Sequence, residues 1–148
     1  KPELLENYTL QRVTFYTCGP CKRERRDIQD IVNRNRALTK RATHFVTGTH
    51  VKSAAEAFEK VWNSPALVDE VQCTASVDEA QAKEMISSSV FRLQDFGFFM
   101  CLAGVTSSEL IQCNPREDRK AQLSDLPEPC LRHIRKFLRL WDVIDSAE

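Results

Sequence analysis

Two cysteines separated by a glycine and a proline, Cys18-Gly19-Pro20-Cys21, are the residues of this sequence best suited to chemistry. A thiol at the N-terminus of a helix feels the positive end of the macrodipole and unpaired backbone N–H groups. Its thiolate is therefore stabilised and becomes a nucleophile. The Gly-Pro spacer is short and stiff, so a second thiol can attack a mixed disulfide formed at the first. The helix this chemistry needs is expected directly afterwards. Pro20 suits the first position of a helix, and Ile28, Ile31, Val32, Asn35 and Leu38 recur at helical spacing. Lys22, Arg23, Arg25 and Arg26 crowd its first turn, the end where the dipole disfavours cations.

The stretch Val13–Ile28, a short β-like run followed by C-G-P-C and a charged helix, resembles the active-site segment of the thioredoxin family. The resemblance implies a thiol–disulfide oxidoreductase with Cys18 as the attacking thiolate and Cys21 as the resolving thiol. The rest of the chain departs from that family. Its proline opposite the redox pair leads into a strand, whereas Pro65 in "NSPALVDEV" reads as a helix start. A β-rich second half is also expected there, but residues 53–104 read as helix after helix. Cys18 and Cys21 are accordingly read as anchors to two distant cysteines, and no catalytic residue is assigned.

The cysteine count supports the structural reading. Cys18, Cys21, Cys73, Cys101, Cys113 and Cys130 form an even set spread through 148 residues. Zinc sites bring two close pairs of ligands; here there is one, and His44, His50 and His133 are not spaced to complete it. Three disulfides in an oxidising compartment are expected instead, with no metal and no cofactor. The chain opens on Lys1, not methionine, as a mature secreted protein would after removal of its signal. Asn7-Tyr8-Thr9 is an N-glycosylation sequon. A secreted, extracellular glycoprotein is the expectation.

The elements that would position these residues are helical. Ser53-Ala-Ala-Glu56 has the form of a capping box and opens a stripe of Ala54, Ala55, Phe58, Val61 and Trp62. Ser64-Pro65 starts another helix carrying Leu67, Val68 and Val71 to Cys73. A second box, Ser76-Val-Asp-Glu79, opens the longest periodic segment, from Ala82 through Met85, Ile86, Val90, Leu93 and Phe96 to Cys101, with Gly104 as its stop. Thr106-Ser-Ser-Glu109 offers a third, and residues 114–129 read mainly as loop. A last helix is expected over Cys130–Ile144, with Leu131, Ile134, Phe137, Leu138, Trp141 and Ile144 on its apolar face. Only residues 12–17 and 43–49 read as strands. The fold class is all-α: one domain over residues 1–148, a bundle of five or six helices cross-linked by three disulfides.

Charge adds candidate surfaces. Lysine plus arginine equals aspartate plus glutamate at 21 each, so the domain is not basic enough to expect nucleic acid. Residues 22–41 nevertheless hold eight cations against three acidic residues. The last helix sets Arg132, Arg135, Lys136 and Arg139 opposite its apolar face, with His133 among them. These four, with Lys22, Arg23, Arg25 and Arg26, form the candidate partner-binding surface, for another protein or an anionic surface such as a glycan. The run "FGFFMCLAGV" is too short to span a membrane. It instead nominates Phe91, Phe96, Phe98, Phe99 and Met100 as the lining of an apolar pocket for a small ligand.

The function expected is that of a secreted helical binding protein, ligand- or effector-like, working by recognition and not by catalysis. A carrier of a small apolar ligand is the first alternative. A thiol–disulfide oxidoreductase using Cys18 and Cys21 is the second.

Overall fold

A computed structural model describes residues 6–15, 22–107 and 122–143. They form six α-helices: α1 Lys22–Val46, α2 Lys52–Val61, α3 Pro65–Ala75, α4 Glu79–Gln94, α5 Phe96–Leu102 and α6 Glu128–Arg135. Single 3-10 turns lie at Leu123–Asp125 and Leu140–Asp142. No strand occurs among the described residues, so the all-α expectation holds there. Residues 12–15 form no regular element.

The 25-residue α1 is the spine of the bundle, about 37 Å long at 1.5 Å per residue. Ile31, Val32, Asn35, Leu38, Ala42 and Phe45 fall on one stripe and are buried. α2 packs against it, and Ala54, Ala55 and Ala57 allow the close approach. α3 and α4 close the remaining sides, and α5 brings its aromatics to the same core. Phe45 packs against Phe58 at 5.1 Å between ring centroids and against Phe98 at 6.5 Å. The segment expected as a strand at 43–49 is the end of this helix, because Thr43, Phe45 and Val46 sit on its buried stripe. Burial outweighs their β propensity. Gly48, at φ +109°, then turns the chain out of the helix.

A polar ladder runs up the buried side of α1. The buried hydroxyls of Thr39 and Thr43 each donate to the carbonyl four residues earlier at 3.0 Å, so burying them costs little, and the exposed Thr47 repeats the bond just past the helix end. Asn35 donates through Nδ2 to the carbonyls of Asn7, at 3.0 Å, and Leu10, at 2.9 Å. Gln11 donates to Thr39 Oγ1 at 3.0 Å. Residues 7–11 are thereby strapped across α1, with Tyr8 held between the cations of Arg34 and Lys60. Asn7, the sequon asparagine, is half-buried, and its Oδ1 accepts from the Leu10 amide at 2.9 Å.

Several boundaries differ from those read in the sequence. The cap before α2 is Val51, two residues before the expected Ser53, and it makes no side-chain cap bond. The reciprocal box at α4 is Asp78 with Gln81; Ser76 instead ends α3 in the left-handed conformation at φ 54°. The long helix expected from residue 79 to Gly104 is two helices. Asp95 is extended, and its Oδ1 accepts from the Phe98 amide at 2.7 Å, restarting the helix at Phe96. Gly104 does stop it, at φ +76°. The third box continues past residue 107 and lies outside the described residues.

These caps make a direct comparison. Ser64 precedes α3 in the N-cap position, but its buried hydroxyl has no hydrogen-bond partner among the described residues. Ser64→Ala should therefore change stability by less than about 0.5 kcal/mol, whereas Asp95→Ala should cost about 1 kcal/mol. Urea titration of the two variants checks this; equal losses would show that Ser64 caps α3 in solution.

The expected disulfide staple finds no support among the described residues. Cys73 and Cys130 are exposed free thiols and Cys101 is a half-buried one. Cys18, Cys21 and Cys113 lie outside the described residues. The described helices are held together by apolar packing and polar ties, with no cross-link among them. Alkylation of the native, unreduced protein should label Cys73 and Cys130 readily and Cys101 more slowly, read by peptide mass spectrometry. Resistance of Cys73 and Cys130 to labelling until a reductant is added would restore the cross-linked arrangement.

Candidate partner-binding groove

Where α2, α4 and α6 meet, the surface opens into a cavity of about 430 Å³. α2 contributes Phe58 and Glu59 from its last turn and Trp62 from its C-cap. α4 supplies Val90, Leu93 and Gln94. Arg132, Arg135 and Lys136 come from α6 and its C-cap, joined by Arg139 beyond. The first three fall within one turn of each other, so a single helix face turns them toward the opening.

The floor is apolar and closed by an ion pair. Phe58 and Leu93 are buried. Arg135 Nη2 lies 2.8 Å from Glu59 Oε1. The Arg135 guanidinium sits 4.0 Å from the centroid of the Phe99 ring. Its Nε donates to the Leu93 carbonyl at 2.9 Å and its Nη1 to the Leu138 carbonyl at 2.7 Å. The other carboxylate oxygen of Glu59 accepts from the Leu140 amide at 3.0 Å. Burial lowers the Arg135 pKa from its ordinary value, the hydrogen bond and charge of Glu59 oppose this, and Arg139 adds a further lowering. Both oxygens of Glu59 and three nitrogens of Arg135 are committed to the fold.

Arg135 thus corrects one expectation. It was placed with the exposed basic face of the last helix, but it is 6% exposed. The helix itself is shorter than Cys130–Ile144: it runs Glu128–Arg135, and the chain then folds back through Leu140 onto α2. Lys52 Nζ ties that return, donating to the Val143 carbonyl at 2.8 Å. Phe137 and Trp141 were expected in the core stripe; Phe137 is 72% exposed and Trp141 is also exposed. Leu140, a residue that stripe omitted, is fully buried. Ile144 lies outside the described residues.

The rim is cationic and aromatic. Arg132, Lys136 and Arg139 are exposed. Arg132 is 3.2 Å from Glu128, an exposed pair of the weak class. Lys136 has no ion-pair partner among the described residues. Trp62 stands at the edge with its indole 48% exposed, because α2 ends there. With Glu59 neutralised by Arg135, the three rim cations face the opening uncompensated by the cavity's own lining.

The other nominated residues lie elsewhere. Lys22, Arg23 and Arg26 are exposed and Arg25 is half-buried at the start of α1, where Arg25 covers the Phe15 ring. None of them lines this cavity. Phe96, Phe98 and Phe99 are packed in the core, Met100 is half-buried, and Phe91 is 71% exposed on the outer side of α4. None of these five residues lines the cavity between α2, α4 and α6, and the Arg135 guanidinium lies against the Phe99 ring. His50 stands edge-on to Phe45 and Phe98, at 5.5 and 5.4 Å. No group of histidine, cysteine and carboxylate side chains suited to a metal occurs among the described residues. No described helix is long and apolar enough to cross a membrane.

Two members of the groove escaped the sequence reading. Periodicity puts Trp62 in a core stripe, and Glu59 lies in residues 56–84, where seven acidic residues stand against two lysines. The signal for Glu59 was present: it stands four residues after Ala55 and next to Phe58, a carboxylate on an apolar face.

No family model, curated protein or solved structure matches this chain.

Proposed function

We propose that the protein is a secreted helical binding protein that recognises another protein through the groove between α2, α4 and α6, in the manner of a ligand or effector. The observation that carries this reading is the pairing of an exposed indole, Trp62, with three rim cations above an apolar floor. Contact surfaces are enriched in tryptophan and arginine because each combines a large contact area with directional polar bonding. The rim cations favour a partner segment rich in aspartate or glutamate, and the indole favours an aliphatic or aromatic side chain beside them. The charged pair at the floor contributes rigidity. Both oxygens of Glu59 and three nitrogens of Arg135 already bond within the fold, which suits a structural pair beneath a recognition surface.

Selection from a library of displayed random peptides tests this reading. Acidic sequences with an apolar anchor should be enriched on the native protein and lost when Trp62→Ala replaces it. Their binding should weaken as salt is raised, because exposed charge pairs are screened. Enrichment of the same sequences on both proteins, or of none on either, would sink the reading.

A further inference from the structure

A second cavity, of about 690 Å³, adjoins the first along α4 and shares Trp62 and Val90 with it. Its walls are the start of α3, with Pro65, Val68 and Asp69, and the earlier turns of α4, with Glu79, Lys83 and Ile86. The two cavities therefore form one trough lying along α4 from Glu79 to Gln94. Fifteen rises of 1.5 Å make it about 22 Å long, enough for about four turns of a second helix. Val68, Ile86, Val90 and Leu93 are its apolar lining, with Ser64, Gln72, Ser87 and Gln94 as polar positions beside them.

Charge is not uniform along this trough. At the α6 end stand Arg132, Lys136 and Arg139. At the other end stand Asp69 and Glu79, with Lys83 paired to Glu79, leaving one carboxylate in excess. An extended acidic peptide would satisfy the first end and be repelled at the second. An amphipathic helix satisfies both if its charges are divided, and its apolar stripe at i, i+3, i+4 and i+7 matches Ile86, Val90 and Leu93, which follow at i, i+4 and i+7 on α4.

Resting on the recognition function proposed above, we infer that the trough holds an amphipathic helix of a protein partner, about fifteen residues long. Its acidic end lies at Arg132, Lys136 and Arg139, and its basic end lies at Asp69 and Glu79. Polarity along the groove fixes the direction in which the partner helix docks.

The test uses displayed 16-residue peptides selected on the full chain, followed by synthetic tryptophan-free copies titrated against the fluorescence of Trp62 in the Trp141→Phe chain. The expected winners carry a helical apolar stripe with acidic residues at one end and basic residues at the other. Asp69→Lys combined with Glu79→Lys should weaken them about tenfold, and exchanging the basic end of the peptide for an acidic one should restore binding to that variant. If this far-end variant binds as well as the native protein, while Arg132→Glu with Lys136→Glu and Arg139→Glu abolishes binding, a short acidic segment fills only the near cavity. The helix inference then falls and the recognition function stands. If neither variant changes binding, both fall. Rim-dependent binding of heparin or phosphatidylserine vesicles, with no peptide enriched, overturns both in favour of an anionic surface.

Discussion

Replacing Glu59 by alanine is expected to cost about 3–5 kcal/mol of folding stability, the largest loss of any exchange considered for this protein. The carboxylate side chain is 6% exposed and that of its partner Arg135 is 7% exposed, so solvent screens the pair little. Removing Glu59 leaves a guanidinium buried with only carbonyls and the Phe99 ring around it. It also removes the acceptor of the Leu140 amide, the bond by which the C-terminal 3-10 turn is fixed to α2. One exchange thus loosens α2, α6 and the return of the chain beyond Arg139. Arg135→Ala should cost a similar amount for the mirror reason, an unpaired carboxylate beneath the groove. For a chain of this size the loss corresponds to a fall of roughly 10–20 °C in Tm. The double exchange Glu59→Leu with Arg135→Met should recover much of the loss, since apolar side chains of similar volume can replace a buried pair with little penalty. Urea denaturation of both single variants and the double variant closes the cycle. Losses below about 1 kcal/mol for both single variants would mean that water reaches the pair and the groove has no closed floor.

Reversing the rim charges, Arg132→Glu with Lys136→Glu and Arg139→Glu, should leave the fold intact and abolish partner binding. Each exposed pair with an acidic partner is worth up to about 1 kcal/mol, so losing three weakens binding by about a hundredfold even before repulsion is counted. Stability should change by less than about 0.5 kcal/mol per exchange, because these side chains are exposed. Association rates measured by surface plasmon resonance should carry most of the effect and converge with those of the native protein as salt is raised. An unchanged association rate at low salt would remove the rim from the contact surface. A parallel loss of Tm would instead place the three residues in the fold.

The two exchanges separate what a sequence pattern decides from what a fold decides. Periodicity marked the interior stripe of α1 and the core positions of α2 and α3, because burial of one helix face imposes a 3.6-residue repeat on residue type. Gly104 and Pro65 were legible as a stop and a start for a comparable reason: their backbone limits are properties of single residues. Asp95 was not, because the apolar stripe continues across it from Leu93 to Phe96. Only its side-chain bond to the Phe98 amide breaks the helix there.

Three-dimensional packing decided the fate of the charges and aromatics on the last helix. Sequence placed Arg132, Arg135, Lys136 and Arg139 together, and three of them do line the groove as exposed cations. Arg135 differs because the chain folds back after it, bringing the Leu138 carbonyl and, through Leu140, the Glu59 carboxylate to its guanidinium. Glu59 and Arg135 stand 76 positions apart, and no local pattern couples them. The same return exposes Phe137, which periodicity assigned to the core. The sequence by itself determined the buried faces of α1, α2 and α3, since transfer of apolar area from water depends on residue type. Which charges are neutralised, and which remain to face a partner, was set only when distant segments met.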